Sequence, residues 1–135
     1  MQVLIDTGPW VALIDRSETR HGECVEWLRQ FEGELFTSEA VLTEVLYLLN
    51  FSSAAQSAAL DFVLSGAITL VPSSVESLKR TKKLMQKYYD LPMDFADATI
   101  VCLAQDLAIH RVVTFDKKDF SIYRLPRKRP FIIFP

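Results

Sequence analysis

Val3-Leu4-Ile5-Asp6, at the start of the chain, and Val112-Val113-Thr114-Phe115-Asp116, near its other end, decide the fold. Each is a short apolar, largely β-branched run closed by an aspartate. Leu35-Phe36 and Ile68-Thr69-Leu70-Val71 read as two further strands, and Phe131 to Phe134 as a fifth. Between them, apolar residues recur at helical spacing. Helices are predicted from about Pro9 to Asp15, through Cys24, Val25, Leu28 and Phe31 up to Gly33, and after Ser38 through Val41 to Leu49. Others run from Ala54 to Leu64, from Ser74 to about Tyr89 as a basic amphipathic helix broken by Pro92, and from Asp94 to about Leu107. The caps and stops follow ordinary rules: Pro in a first turn, Ser or Asp before one, Gly after a last one. Short strands alternating with helices imply βα units and a parallel sheet covered on both faces. No repeat, low-complexity segment or linker interrupts the 135 residues, so a single domain over 1–135 is expected.

Half of the residues are hydrophobic, enough for a sizeable core and too many for a disordered chain. No apolar run approaches the ~20 residues needed to span a bilayer. The start, Met1-Gln2-Val3-Leu4, lacks the basic and long apolar regions of a secretory leader, so a cytoplasmic location without membrane association is expected. Cys24 and Cys102 sit in apolar helical stretches and read as reduced core thiols. Net charge is −2, from 15 basic and 17 acidic residues. Basic residues cluster at Lys79, Arg80, Lys82, Lys83 and Lys87, and again at Arg124, Arg127, Lys128 and Arg129. Such clusters are most often solvated faces, and the charge balance neither supports nor excludes a nucleic-acid partner. Tyr88 and Tyr89 are expected in core or interface packing rather than against bases.

In open α/β sheets, sites form at the carboxyl ends of strands where the strand order switches. Asp6 and Asp116 each follow a strand and so arrive at that edge. Glu44 lies in Val41-Leu42-Thr43-Glu44-Val45-Leu46-Tyr47-Leu48-Leu49, a helix apolar nearly all round and therefore expected to be buried. An unpaired carboxylate there would cost several kcal/mol or be driven neutral, which a cation would relieve. A salt bridge or an exposed helix edge is the ordinary alternative. Asp94 and Asp97, three apart, share one helix face. Asp94 reads as an N-cap and Asp97 as a metal ligand kept ionised by the helix dipole. Magnesium and manganese take oxygen ligands and share them with substrate phosphate. Three or four carboxylates from separate elements suit phosphodiester chemistry without histidine. His21 and His110, in polar flanks, are expected at the surface.

Val3-Leu4-Ile5-Asp6-Thr7, Leu42-Thr43-Glu44-Val45, Asp94-Phe95-Ala96-Asp97-Ala98 and Thr114-Phe115-Asp116-Lys117-Lys118-Asp119-Phe120 resemble, in order and spacing, the four acidic motifs of PIN-domain ribonucleases. The length resembles that of VapC-type toxins of type II toxin–antitoxin pairs. The resemblance implies a three-layer α/β/α sandwich around a mostly parallel sheet of four to five strands. It also implies Mg²⁺ or Mn²⁺ dependence and endonucleolytic cleavage of single-stranded or looped RNA. By position, Asp6, Glu44, Asp97 and Asp116 are the catalytic, metal-holding acids, and Thr7 and Thr114 supply hydroxyls that orient them. Asp119 lies near the same strand end, and Asp94 adds an acid of open role. A small protein antitoxin and a homodimeric assembly are the implied partners. A housekeeping PIN nuclease without an antitoxin and an inactive PIN scaffold are the alternatives. A receiver-like signalling module would need paired acids after the first strand and a phospho-acceptor after the third, where this chain has Asp6-Thr7 and Pro72-Ser73.

Overall fold

The computed structural model describes residues 1–135. The chain runs β1 (Gln2–Ile5), α1 (Thr7–Ile14), α2 (His21–Gln30), β2 (Glu34–Ser38), α3 (Glu39–Leu48), α4 (Ser53–Leu64), β3 (Ile68–Val71), α5 (Val75–Lys87) and α6 (Phe95–Leu107). It continues through β4 (Arg111–Val113), α7 (Lys117–Phe120), β5 (Arg124–Leu125), β6 (Arg129–Pro130) and β7 (Ile132–Phe134). Five strands form one all-parallel sheet in the order β3-β2-β1-β4-β7. The fold is the expected α/β/α sandwich.

Strand β1 sits at the centre, and Val3, Leu4 and Ile5 are fully buried, as a strand covered on both faces requires. The order grows outward from β1 to β2 and β3, then crosses back to β4 and β7. Right-handed crossovers put helices of opposite growth directions on opposite faces. Accordingly α1 packs with α2, α3 and α4, whereas α5 pairs with α6. Ala96, Ala98 and Ala104 let α6 approach closely, and it is buried from Ala96 through Ala104.

Serine caps set the helix starts. Ser38, Ser52 and Ser74 each accept a backbone N–H from the first turn, at 3.2, 3.2 and 3.0 Å, and Ser74 completes a capping box with Ser77. The Ser38 and Thr99 hydroxyls lie 2.8 Å apart and tie the β2–α3 junction to α6. Cys24 and Cys102 are buried free thiols. No helix is long and apolar enough to cross a membrane.

Three expectations need correction. Helix α3 is not buried all round: only Val41 and Val45 are buried, while Tyr47 and Leu48 are 72% and 50% exposed. A helix lying on a sheet buries one stripe, and here the opposite side is apolar as well. The two histidines are half-buried rather than free at the surface: His21 Nδ1 lies 2.6 Å from the Ala12 carbonyl and His110 Nε2 lies 3.2 Å from Arg129. Helix α7 and the antiparallel β5–β6 pair were not anticipated, because elements of two to four residues are too short to show periodicity.

Gly33 enters β2 at φ +152°, and a Cβ there would sit 2.0 Å from the Met1 carbonyl oxygen. That oxygen accepts the Glu34 N–H at 2.9 Å, starting the β1–β2 ladder. Gly33→Ala is therefore expected to lower unfolding stability by roughly 1–3 kcal/mol in urea titrations. An unchanged midpoint would show that Met1 moves aside without cost.

Candidate active site

Asp6 leaves the end of β1 and stands at the N-terminus of α1, yet its carboxylate does not cap that helix. The backbone holds it in the sheet, its N–H donating to the Val113 carbonyl at 3.0 Å. Thr114, just past β4, donates its hydroxyl to Asp6 Oδ2 at 2.7 Å. The same hydroxyl oxygen accepts the Asp116 N–H at 3.0 Å. One buried threonine thus joins the acids arriving from two adjacent strands. Helix α1 also reaches α3, where Thr7 Oγ1 donates to Glu44 Oε2 at 2.9 Å.

Asp97 lies in the first turn of α6, where Asp94 caps the helix by accepting the Asp97 N–H at 2.8 Å. Its Oδ2 accepts a hydrogen bond at 3.2 Å from the hydroxyl of Tyr123, a fully buried residue. Tyr123 stacks edge-on with Tyr88 and Phe120, which fixes its ring. Asp116 caps α7 by accepting the Asp119 N–H at 3.4 Å. Carboxylate oxygens of Asp97, Asp116 and Asp119 all lie within 4.8 Å of one another. The chain before Asp116 is wedged in place. Phe115 lies under the Arg20 guanidinium, 4.0 Å from its ring centroid, and a Cβ on Gly8 would come within 2.7 Å of that ring.

The structure therefore gathers Asp97 and Asp116 with Asp119, whereas Asp6 and Glu44 lie outside that close group, Asp6 being joined to Asp116 only through Thr114. Glu44 is held by Thr7, the neighbour of Asp6. Glu44 is half-buried on α3, between the buried position and the exposed edge considered from the sequence, and it has no salt bridge. Asp119 was left outside the expected set, although its spacing of three from Asp116 put both on one helical turn. Tyr123 was missed, since nothing local marks a tyrosine that bonds 26 residues back. None of these acids is neutralised by a base: the four ion pairs are Arg20–Glu23, Arg29–Glu26, Lys79–Glu76 and Arg80–Asp106.

Crowding uncompensated carboxylates changes their proton affinity. Burial raises Asp97 to about 8, with the charges of Asp6, Asp94 and Asp116 adding to the rise and the Tyr123 hydrogen bond opposing it, so the helix dipole does not keep this acid ionised at neutral pH as expected. Burial likewise raises Asp6 to about 6, against the Thr114 and Thr7 hydrogen bonds. Asp116 is raised by burial and by Asp119. The Tyr123 hydroxyl is pushed up by burial and by Asp97, so it stays a donor.

A parallel sheet whose central strands deliver carboxylates to one edge, ringed by helix N-termini, is the architecture that the four acidic motifs led us to expect. The chain belongs to the PIN domain family, whose model matches residues 3–127. It is 27% identical over 135 residues to Ribonuclease VapC26 of Mycobacterium tuberculosis, covering 98% of this chain and all of that one. Its fold resembles that of M. tuberculosis VapC20, described as a sarcin-ricin loop cleaving toxin, with a TM-score of 0.79 and 23% identity over 85% of this chain and 90% of that one. It also resembles a chain of VapBC2 from Rickettsia felis bound to a fragment of promoter DNA, with a TM-score of 0.68 and 18% identity over the whole of both chains.

Both raised acids favour the protonated form when folded, so folding takes up protons between the ordinary value of 3.8 and about 8. Their contribution to stability is full below 3.8 and is lost as pH rises through about 6 and then about 8. The melting temperature without divalent ions is expected to fall between about pH 5 and about pH 8.5. Asp97→Asn should flatten the fall and add roughly 1–2 kcal/mol, about 3–8 °C, at the alkaline end. A melting curve that ignores pH in both proteins would contradict this electrostatic picture.

Proposed function

We propose that this chain is a metal-dependent endoribonuclease and the toxin of a toxin–antitoxin pair. Asp6, Glu44, Asp97 and Asp116 are the acids that hold Mg²⁺ or Mn²⁺, with Asp119 adding a fifth carboxylate at the same edge. One observation carries the reading: Asp97, Asp116 and Asp119 bring oxygens within 4.8 Å of one another with no basic side chain paired to any of them. Such a group is costly without a cation.

The donor set fits a hard divalent ion, because it consists of carboxylate oxygens. Neither thiol is among the donors, and the histidines bond elsewhere. Three acids share a further feature. Glu44, Asp6 and Asp97 each have one oxygen held by a hydroxyl, from Thr7, Thr114 and Tyr123 respectively. That leaves the second oxygen of each for a ligand, with its direction fixed by the first. A bound divalent ion would orient the scissile phosphate, lower the pKa of an attacking water and offset charge on the leaving oxygen. The N-termini of α1 and α6 add partial positive charge near Asp6 and Asp97 but do not outweigh burial, so a bound cation is what would hold both acids ionised at neutral pH.

The ribonuclease assignment is supported by the family and by the relative named Ribonuclease VapC26. The toxin assignment is supported by VapC20 and by neighbours that are toxin–antitoxin assemblies, among them a complex from Klebsiella pneumoniae with a TM-score of 0.66. Tyr47, Leu48, Phe51, Leu60 and Leu64 stay exposed on α3, the turn after it and α4. This much open apolar surface suits the antitoxin and the second copy expected as partners.

RNA cleavage in Mn²⁺ or Mg²⁺ tests the reading directly. Asp6→Asn and Asp97→Asn should each reduce the rate on the order of 100-fold or more, and EDTA should abolish it. Cleavage that persists unchanged in both variants removes the mechanism. Tyr123→Phe should keep the fold but weaken Mn²⁺ binding, read by calorimetry, by roughly 10- to 100-fold. Native affinity in that variant would make Tyr123 a packing residue only.

A further inference from the structure

Tyr89 and Phe95 are large aromatic side chains left in solvent, 77% and 44% exposed, on either side of the turn that joins α5 to α6. The core does not account for them. Tyr88 is buried, accepts the Arg124 N–H at 3.0 Å and stacks on Tyr123, whereas Tyr89 beside it makes no hydrogen bond within the chain. With Leu78, Lys82 and Met85, the two exposed rings line an open groove of about 450 Å³. Phe95 also borders a second groove of about 250 Å³, lined by Thr43 and Glu44. One aromatic ring therefore belongs both to the α5 groove and to the edge of the acidic site.

Charge separates this groove from a plain apolar patch. On the same helix, Lys79 and Arg80 are paired with Glu76 and Asp106, but Lys82, Lys83 and Lys87 are exposed and have no carboxylate partner. An acidic site repels a polyanion, and unpaired lysines alongside offset that repulsion. Aromatic faces interleaved with lysine suit a strand whose bases are free to stack and whose phosphates need a cation. Bases inside a duplex are already stacked on one another, so such a surface selects single-stranded or looped RNA.

We propose that this groove is a base-stacking subsite, in which Tyr89 and Phe95 take unpaired bases of single-stranded RNA next to the scissile phosphate and Lys82 contacts the backbone. This deepens the ribonuclease reading and rests on it. The charge and the continuity with the acids favour RNA over a protein segment, and a second copy of the chain is the competing occupant.

The test uses a fluorescein-labelled single-stranded RNA titrated by anisotropy in EDTA, so that the strand stays intact. Tyr89→Ala and Phe95→Ala should each weaken binding on the order of 5- to 100-fold at fixed salt. Tyr89→Trp should restore it, and a strand of abasic residues should bind native protein and both alanine variants equally weakly. Lys82→Ala should lower the salt dependence by about one unit of slope. Alanine variants that bind RNA as tightly as the native chain would overturn the subsite while leaving cleavage, assayed in parallel with Mn²⁺, intact. So would a loss of affinity that tracks dissociation of a dimer in light scattering, which would mark the groove as an interface. Native protein that neither binds nor cleaves RNA would defeat the ribonuclease reading, and the subsite with it.

Discussion

Leu4 and Ile5 lie in register with Val112 and Val113, and this short parallel ladder joins the first strand to one near the far end of the chain. Everything at the acidic edge depends on it. The ladder carries Asp6 past the last rung, where its N–H still bonds Val113, and brings Thr114 within reach of its carboxylate. Because the strand order reverses between β1 and β4, helices diverge to opposite faces and leave a crevice there. Side chains of α1, α3, α6 and α7 come to the same side of the sheet because those helices begin at, or run beside, one edge of it.

Concentrating carboxylates at that edge works against stability, and the fold limits the cost by several local devices. Hydroxyls of Thr7, Thr114 and Tyr123 each hold one oxygen of an acid. The N–H groups of Asp97 and Asp119 are satisfied by Asp94 and Asp116, so two acids serve as caps. Helix N-termini contribute favourable potential. These contacts do not cancel burial, since Asp6 and Asp97 remain raised to about 6 and about 8. A site that stores repulsion is one that a divalent cation stabilises on binding, so ligand affinity and apo-state strain come from the same interaction.

The apolar and aromatic surfaces divide by charge. No Lys or Arg occurs between Arg29 and Lys79, the stretch that holds the exposed side chains of α3 and α4, whereas the α5 groove is lined by Lys82 on a helix that also carries exposed Lys83 and Lys87. Tyr88 and Tyr89 show how neighbours separate: one is buried against Tyr123 and Arg124 of the C-terminal segment, and the other is turned outward. Their places in the turn that leaves α5, rather than residue type, made the difference.

Strand and helix identity, the parallel sheet, the serine and aspartate caps and the placement of Asp6 and Asp97 were legible in the sequence, because they rest on short-range patterning and on the rule that strand ends carry sites. The four acidic motifs added the family. What periodicity could not show was which face of α3 is covered, since both of its sides are apolar and only packing on the sheet chooses between them. Nor could it show that Asp119 joins Asp97 and Asp116, or that Tyr123 reaches Asp97 and Thr114 joins Asp6 to Asp116. Those contacts join side chains distant in sequence, and their existence depends on the angles at which α6 and α7 meet the sheet. Local sequence determined which residues stood at the ends of elements; only the tertiary structure decided which of those ends meet.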